Sequence, residues 1–379
     1  MNDEILSSGR VVGPFIIDGL LAKGDTCNIY IATDPNTRKK HVLKLESNDS
    51  KTKTLEIELE NYALLKGSKY FPVIHSNGAT QNWRYISMEL LGPTIEQFQA
   101  ILKSKTYSRE STIKISRQML CCIQELHEKN IIHGEIHSKH FVIKPDATFP
   151  ITLLDLNKAW LTTSRPPPKQ NTKKKIHQDK IYSRRNDLLN WFYTTLILID
   201  GKLPWSSLTD QKKIEQMKKT VTIPQLCAPL PDDYQQIYSY IINLNNDDKP
   251  DYSRILQLIN TAMIKTRCDQ SEFEWITIDS LDVASISKID LVPQVTSRPN
   301  YKTSDPQPKP FYKTTVIDDT IMPPRKKQQV VQRPHPSDLK QLNVEAYRIP
   351  LPEDPFPKGD VGKLPESPKK EEPPQRKPF

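Results

Sequence analysis

The chain has 379 residues and a formal net charge of +9, enough length for one large or two medium domains with a real core. Five cysteines (27, 121, 122, 227, 268) without Cys-x-x-Cys spacing argue against a disulfide framework or a zinc finger and suggest a reducing compartment. The longest apolar run, LLNWFYTTLILI at 188–199, is too short to cross a bilayer and predicts a buried helix, so no membrane or secretory segment is expected. The basic balance fits a solvated surface equally with contact to nucleic acid, phosphoproteins or an acidic partner.

The first hundred residues predict strands. VGPFIIDGLL, NIYIATD, KHVLKLE and WRYISMEL are short β-branched or aromatic runs broken by Gly, Asp, Asn or Thr. TLEIELENYALLKG interrupts them as a helix, with Gly67 as its expected stop. Beyond residue 95 the period changes. In STIKISRQMLCCIQELHEK, Ile115, Met119, Ile123 and Leu126 recur at three- and four-residue steps, which predicts an amphipathic helix. FVIK and ITLLDL follow as two short β-like runs, and more helices come after them.

Residues 291–379 hold 18 of the 32 prolines, among Lys, Glu, Gln and Ser. Such a composition cannot bury enough apolar surface to offset its ordering entropy, so a disordered tail is expected. FEWITIDSLDVASISKIDLV (273–292) keeps spaced apolar residues and could dock on the folded part or on a partner.

IIHGEIHSKHF at 131–141 gathers His133, Glu135, His137 and His140 in a chain with eight histidines. On a helix the three histidines would share a face and could ligate zinc. No second cluster elsewhere in the sequence supports that reading.

Several ordered motifs give the stretch another context. VLKLE, ELENYALLKG, MELLGPTIEQF, SRRNDLL, GKLPW and KPDYSRILQLI together resemble a protein kinase of the casein-kinase-one superfamily, in its vaccinia-related branch. The resemblance covers roughly residues 10–265 and implies an α+β, bilobal kinase-like fold. It divides the chain into a β-rich N-lobe and hinge (1–95), a helical C-lobe (96–270) and a proline-rich tail (271–379). It places Lys44 as the lysine that holds nucleotide phosphates and Glu58 as its helix partner. Met88 becomes the gatekeeper, with Glu89 to Leu91 beside the adenine, and Asp187 opens a buried helix. Ile29, Val42 and Val142 match residues that sandwich adenine, or are simply core.

The resemblance also locates departures. His133 and Gly134 fit the branch, but Glu135 replaces the aspartate that orients the substrate hydroxyl, and the added methylene displaces its carboxylate by about an ångström. His137 stands in place of the lysine that stabilises the transferring phosphoryl. His140 replaces the asparagine that ligates the second magnesium, and imidazole suits magnesium poorly. Asp155 is kept at the metal-binding turn, followed by Leu156 and by Asn157 in place of glycine. In LAKGDTCNIY only Gly24 of the phosphate-loop glycines survives, with Ala22 and Cys27 at the outer positions. LTTSRPPPKQNTKKKIHQDKIY replaces the usual substrate-docking stretch.

These losses imply a pseudokinase acting as scaffold or allosteric regulator of a protein partner, with no assured cofactor and a weakened hold on ATP and magnesium. A weak Ser/Thr kinase using Lys44, Glu135 and Asp155 is the second reading. A nuclear chromatin or nucleic-acid adaptor, working through basic charge and tail, is the third. Nucleus or cytoplasm is the expected location, by analogy with the branch. The lysines at 173–175 and Arg325 to Lys327 are either phosphate or import contacts or solvated surface.

Overall fold

The period-two runs of the first hundred residues become one antiparallel sheet in the computed structural model, which describes residues 5–24, 26–144, 149–163 and 182–277. Its strands are β1 (Val11–Val12), β2 (Phe15–Lys23), β3 (Asn28–Thr33), β4 (Lys40–Ser47), β5 (Ile74–Ala79) and β6 (Trp83–Glu89), in the order β1-β2-β3-β4-β6-β5. Ile17, Tyr30, Leu43, Leu45 and Tyr85 share a buried cluster on this sheet. The apolar pattern does not predict β5, whose IHSNGA is mostly polar; pairing from Ile74↔Met88 to Ala79↔Arg84 makes it a strand.

Helix α1 (Thr54–Leu64) follows β4, and its buried residues are largely polar: Thr54, Leu55, Glu58, Asn61 and Tyr62. Its N-terminus is capped from outside. Lys53, the formal cap, has φ 44 and offers no side-chain bond. The buried Glu46 of β4 instead accepts from Thr54 N at 2.8 Å and from Thr54 Oγ1 at 2.9 Å. Arg84, opposite Glu46 across β4 and β6, holds Glu46 and Glu56, each at 3.2 Å. The helix stops at Leu64, three residues before the expected Gly67, which turns the chain afterwards with φ 85.

The second lobe is helical: α2 (Ile95–Ile101), α3 (Arg109–Glu128), α4 (Arg184–Asp200), α5 (Gln211–Thr220), α6 (Ile223–Cys227), α7 (Asp233–Ile242) and α8 (Tyr252–Lys265). Two small sheets sit between α3 and α4: β7 (Ile131–Ile132) pairs with β10 (Trp160–Leu161), and β8 (Phe141–Ile143) with β9 (Ile151–Leu153). The predicted stripe Ile115, Met119, Ile123 and Leu126 is fully buried. So are Trp191 and Phe192 of α4, and Trp191 Nε1 donates to Ser116 O at 2.8 Å. No helix among the described residues is long and apolar enough to cross a membrane.

Just past the expected boundary at 270, α9 (Glu274–Thr277) packs on the helical lobe. Trp275 is 5% exposed and meets Phe98 and Tyr107 edge-on, with Phe273 stacked on it at 4.2 Å. Glu274 Oε1 accepts from Ser108 N at 2.8 Å. The chain divides into units Met1–Thr315 and Val316–Phe379, and the second lies wholly outside the described residues. Residues 278–379 of the proline-rich tail, the lysines at 173–175 and the basic cluster at 325–327 also lie outside them. Because Trp275 fills a pocket among other aromatic side chains, Trp275→Ala should cost about 3–5 kcal/mol, read as a lowered urea midpoint at unchanged slope.

Candidate functional site

Three segments meet at one ammonium group. Lys44 lies in the middle of β4, between Ile29 of β3 and Ile86 of β6, and is 5% exposed along its side chain. Its Nζ lies 2.6 Å from Glu58 Oε2 on α1 and 2.6 Å from Asp155 Oδ1 just after β9. Burial opposes the Lys44 charge, yet the two carboxylates hold its pKa well above the ordinary value. Asp155 is likewise largely buried, but Lys44 and then His140 hold its carboxyl well below the usual range. Burial pushes Glu58 upward, with Lys44 pulling it back.

Asp155 takes φ 67 and turns the chain into a short 3₁₀ turn, Leu156–Lys158. Asn61 of α1 donates to Leu156 O at 3.1 Å, so the helix is tied to this turn as well.

The histidine-rich stretch is a loop and turn, not the continuous helix that the zinc reading requires. Asp187, at the start of α4, accepts from His133 N at 2.8 Å and Gly134 N at 2.9 Å. His127 Nε2 lies 2.9 Å from the same carboxylate, and its other nitrogen bonds the Tyr252 hydroxyl. His133 Nδ1 accepts from Glu135 N, leaving its Nε2–H to donate to Leu154 O at 3.0 Å. Gly134 has φ 76, and a Cβ there would lie 2.2 Å from the Tyr182 ring. Only glycine fits both demands.

The remaining loop residues divide. Glu135 is paired with Lys158 Nζ at 3.1 and 3.2 Å. His137 accepts from Lys139 N and lies 3.8 Å from Glu96 on α2, half exposed. His140 Nδ1 donates to Glu135 O at 2.8 Å, and its Nε2 lies 3.3 Å from Asp155 Oδ2. Burial and the neighbouring His133 push His140 down to about 4, against the pull of Asp155. Lys44 therefore holds Asp155 Oδ1, and His140 Nε2 lies beside Oδ2.

The residues predicted for the nucleotide half differ in burial and in what they contact. Met88 and Val142 are buried, and Ile29, Val42 and Leu91 are half-buried. Met88 packs with Cys27, Leu55 and Ile86. The Glu89 side chain turns away to Lys144 at 2.5 Å and to Val73 N. Gly24 N donates to Cys27 O at 3.0 Å, and a Cβ on Gly24 would lie 2.5 Å from that oxygen. Cys27 is buried, its sulfur 3.6 Å from Thr54 Oγ1, and burial pushes its thiol pKa up.

The donor set fits magnesium poorly. His140 presents nitrogen where a hard oxygen is wanted, and Lys44 already holds Asp155 Oδ1. Among the described residues, no three His, Cys, Asp or Glu side chains gather to hold a metal. The sequence reading missed Lys158, Tyr182 and the Glu46–Arg84 pair. Lys158 sits in LDLNKAW beside Asp155 and Asn157, with no local signal pointing to Glu135.

No protein-family profile matches the chain. A probable serine/threonine-protein kinase of Dictyostelium discoideum is 24% identical over 290 residues, covering 72% of this chain. The chain spans 59% of that protein's length. This likeness, a β-rich lobe before a helical lobe and a lysine shared between two carboxylates define a protein-kinase-like fold. The chain is a kinase-like protein on that ground.

Lys44→Met removes the partner of Glu58, which is 1% exposed, and should cost about 3–5 kcal/mol near neutral pH. The sign with pH differs between the two proteins. In the native chain, Asp155 has a depressed pKa, so its contribution is full above about 3.9 and is lost as pH falls. In the variant, Glu58 is buried without Lys44 and its raised pKa penalises the fold only while the carboxyl must ionise. The stability gap between the two should therefore narrow on acidification, as followed by urea unfolding across the acid range.

Proposed function

We propose that this kinase-like chain is a pseudokinase of the casein-kinase-one superfamily, vaccinia-related branch, acting as a scaffold or allosteric regulator of a protein partner. The carrying observation is that the side chains at the transfer positions are bound to other parts of this chain. Glu135 is paired with Lys158 at 3.1 Å, and Asp155 is held by Lys44 and faced by His140. Magnesium, proton and substrate handling act as a unit, so their joint alteration leaves little transfer. The hinge motif MELLGPTIEQF and the Asp187 clamp on the loop amides support the branch assignment. The basic charge and the proline-rich tail are the candidate partner-binding features.

One observation favours the second reading, a weak Ser/Thr kinase: the Lys44–Glu58 pair is formed at 2.6 Å. Radiolabel transfer from ATP separates the two. Incorporation by the native chain should not exceed that of Lys44→Met, and label that disappears only in Lys44→Met would overturn the pseudokinase reading. Nucleotide contact should also be indifferent to magnesium. ATP with magnesium is expected to raise the melting temperature no more than ATP with a chelator.

A further inference from the structure

We propose that α9 is a regulatory strap: its docking on the helical lobe sets the order of the loop that carries Glu135 and His140, with α2 as the lever between them. The contacts stand by themselves, and only their use as regulation rests on the pseudokinase reading.

The strap is short and held at few points. α9 has four residues, Glu274–Thr277. Trp275 enters the lobe edge-on to Phe98 and Tyr107, with ring centroids 5.9 and 6.4 Å away. Lys114 Nζ lies 4.1 Å from the centroid of the Phe273 ring and donates to Ser271 O at 2.7 Å.

Two features lower the net hold. Trp275 Nε1 is buried without an acceptor among the described residues, and an unpaired N–H opposes its own burial. Burial also pushes the Lys114 pKa down, so its charge favours release into water. A single helical turn does not persist in water once its aromatic side chains leave their pocket. Docked and released are therefore two distinct states of this segment.

Helix α2 carries both the pocket of the strap and the anchor of the loop. Phe98, fully buried, is its contact with Trp275, and the Tyr107 hydroxyl donates to Ile95 O at 2.8 Å. At the start of the helix its N-cap, Thr94, bridges Val142. Just before it, Gly92 N donates to Ile143 O and Ile143 N donates to Pro93 O, each at 2.9 Å. These bonds hold β8, which follows His140 directly. Ser138 Oγ also donates to Glu96 Oε1 at 3.3 Å. One helix of seven residues thus separates Trp275 from the turn that places His140. Release of Trp275 uncovers Phe98 and frees α2 to shift, and the backbone bonds carry that shift to β8. Residues 278–379 continue from the strap, so a partner that engages them acts on α9 first.

Hydrogen exchange of the full chain, read by mass spectrometry, tests the coupling. Trp275→Ala releases the strap, and Phe273→Ala loosens it while leaving the pocket filled. In both, exchange at 94–101 and at 137–143 should rise by about five-fold or more beyond any rise in the slowest amides of α3, which report global opening. Ile264→Ala, at an exposed position of α8, should change neither. If Trp275→Ala fails to fold, Phe273→Ala carries the comparison.

Unchanged exchange at 137–143 would overturn the proposal. So would a rise there no larger than in α3, or a loop that loosens while α2 does not. Phosphoryl transfer by the native chain would overturn the pseudokinase reading without altering the exchange result, so the two fail separately.

Discussion

Lys44 is the point on which the two lobes agree. Its ammonium lies 2.6 Å from Glu58 and 2.6 Å from Asp155, on segments that follow it by 14 and 111 residues. Buried charges persist only when paired, and here each charge depends on the others. Helix α1 shows the consequence. Its buried side chains include Glu58 and Asn61, so apolar packing alone does not place it. The ion pair, the Asn61 bond to Leu156 and the Glu46 cap hold it against the sheet.

The same physics holds the loop that carries Glu135 and His140. Asp187, fully buried, fixes the amides of His133 and Gly134 and is itself braced by His127. That scaffold of the loop does not need a substrate. The side chains that project from it are another matter. Glu135 meets Lys158, which comes from the turn that Asp155 opens, so the loop and that turn are tied to each other. Tyr182 lies over Gly134 beside them, and Glu135, with Asp187, adds to the burial that pushes its hydroxyl to about 12. Loop and turn are held to each other by these side chains.

Much of the fold was legible because its signals are periodic. Alternating runs gave β2, β3, β4 and β6, and the three- and four-residue stripe gave α3. β5 escaped because its pairing with β6, not its composition, makes it a strand. Lys44, Glu58 and Asp155 were legible because neighbouring motifs fix their order in the chain. Lys158 was not, since its contact with Glu135 depends on how two turns fold together across 23 residues. The Glu46–Arg84 pair requires the register of β4 against β6, which no local pattern supplies.

His137 and His140 show how close in sequence and how far apart in role two residues of one motif can be. Both were candidates on position alone. Between them lies a single 3₁₀ turn, Ser138–His140, capped by His137 itself. Capping commits the His137 ring to the Lys139 amide and leaves it at the surface beside Glu96. The turn carries His140 inward, where Glu135 O fixes one ring nitrogen and Asp155 faces the other. Of the three histidines in this stretch, His133 and His140 are buried and His137 stays at the surface. The carboxylate facing His140 comes from outside the stretch, from Asp155 just after β9 on the far side of the β8–β9 hairpin.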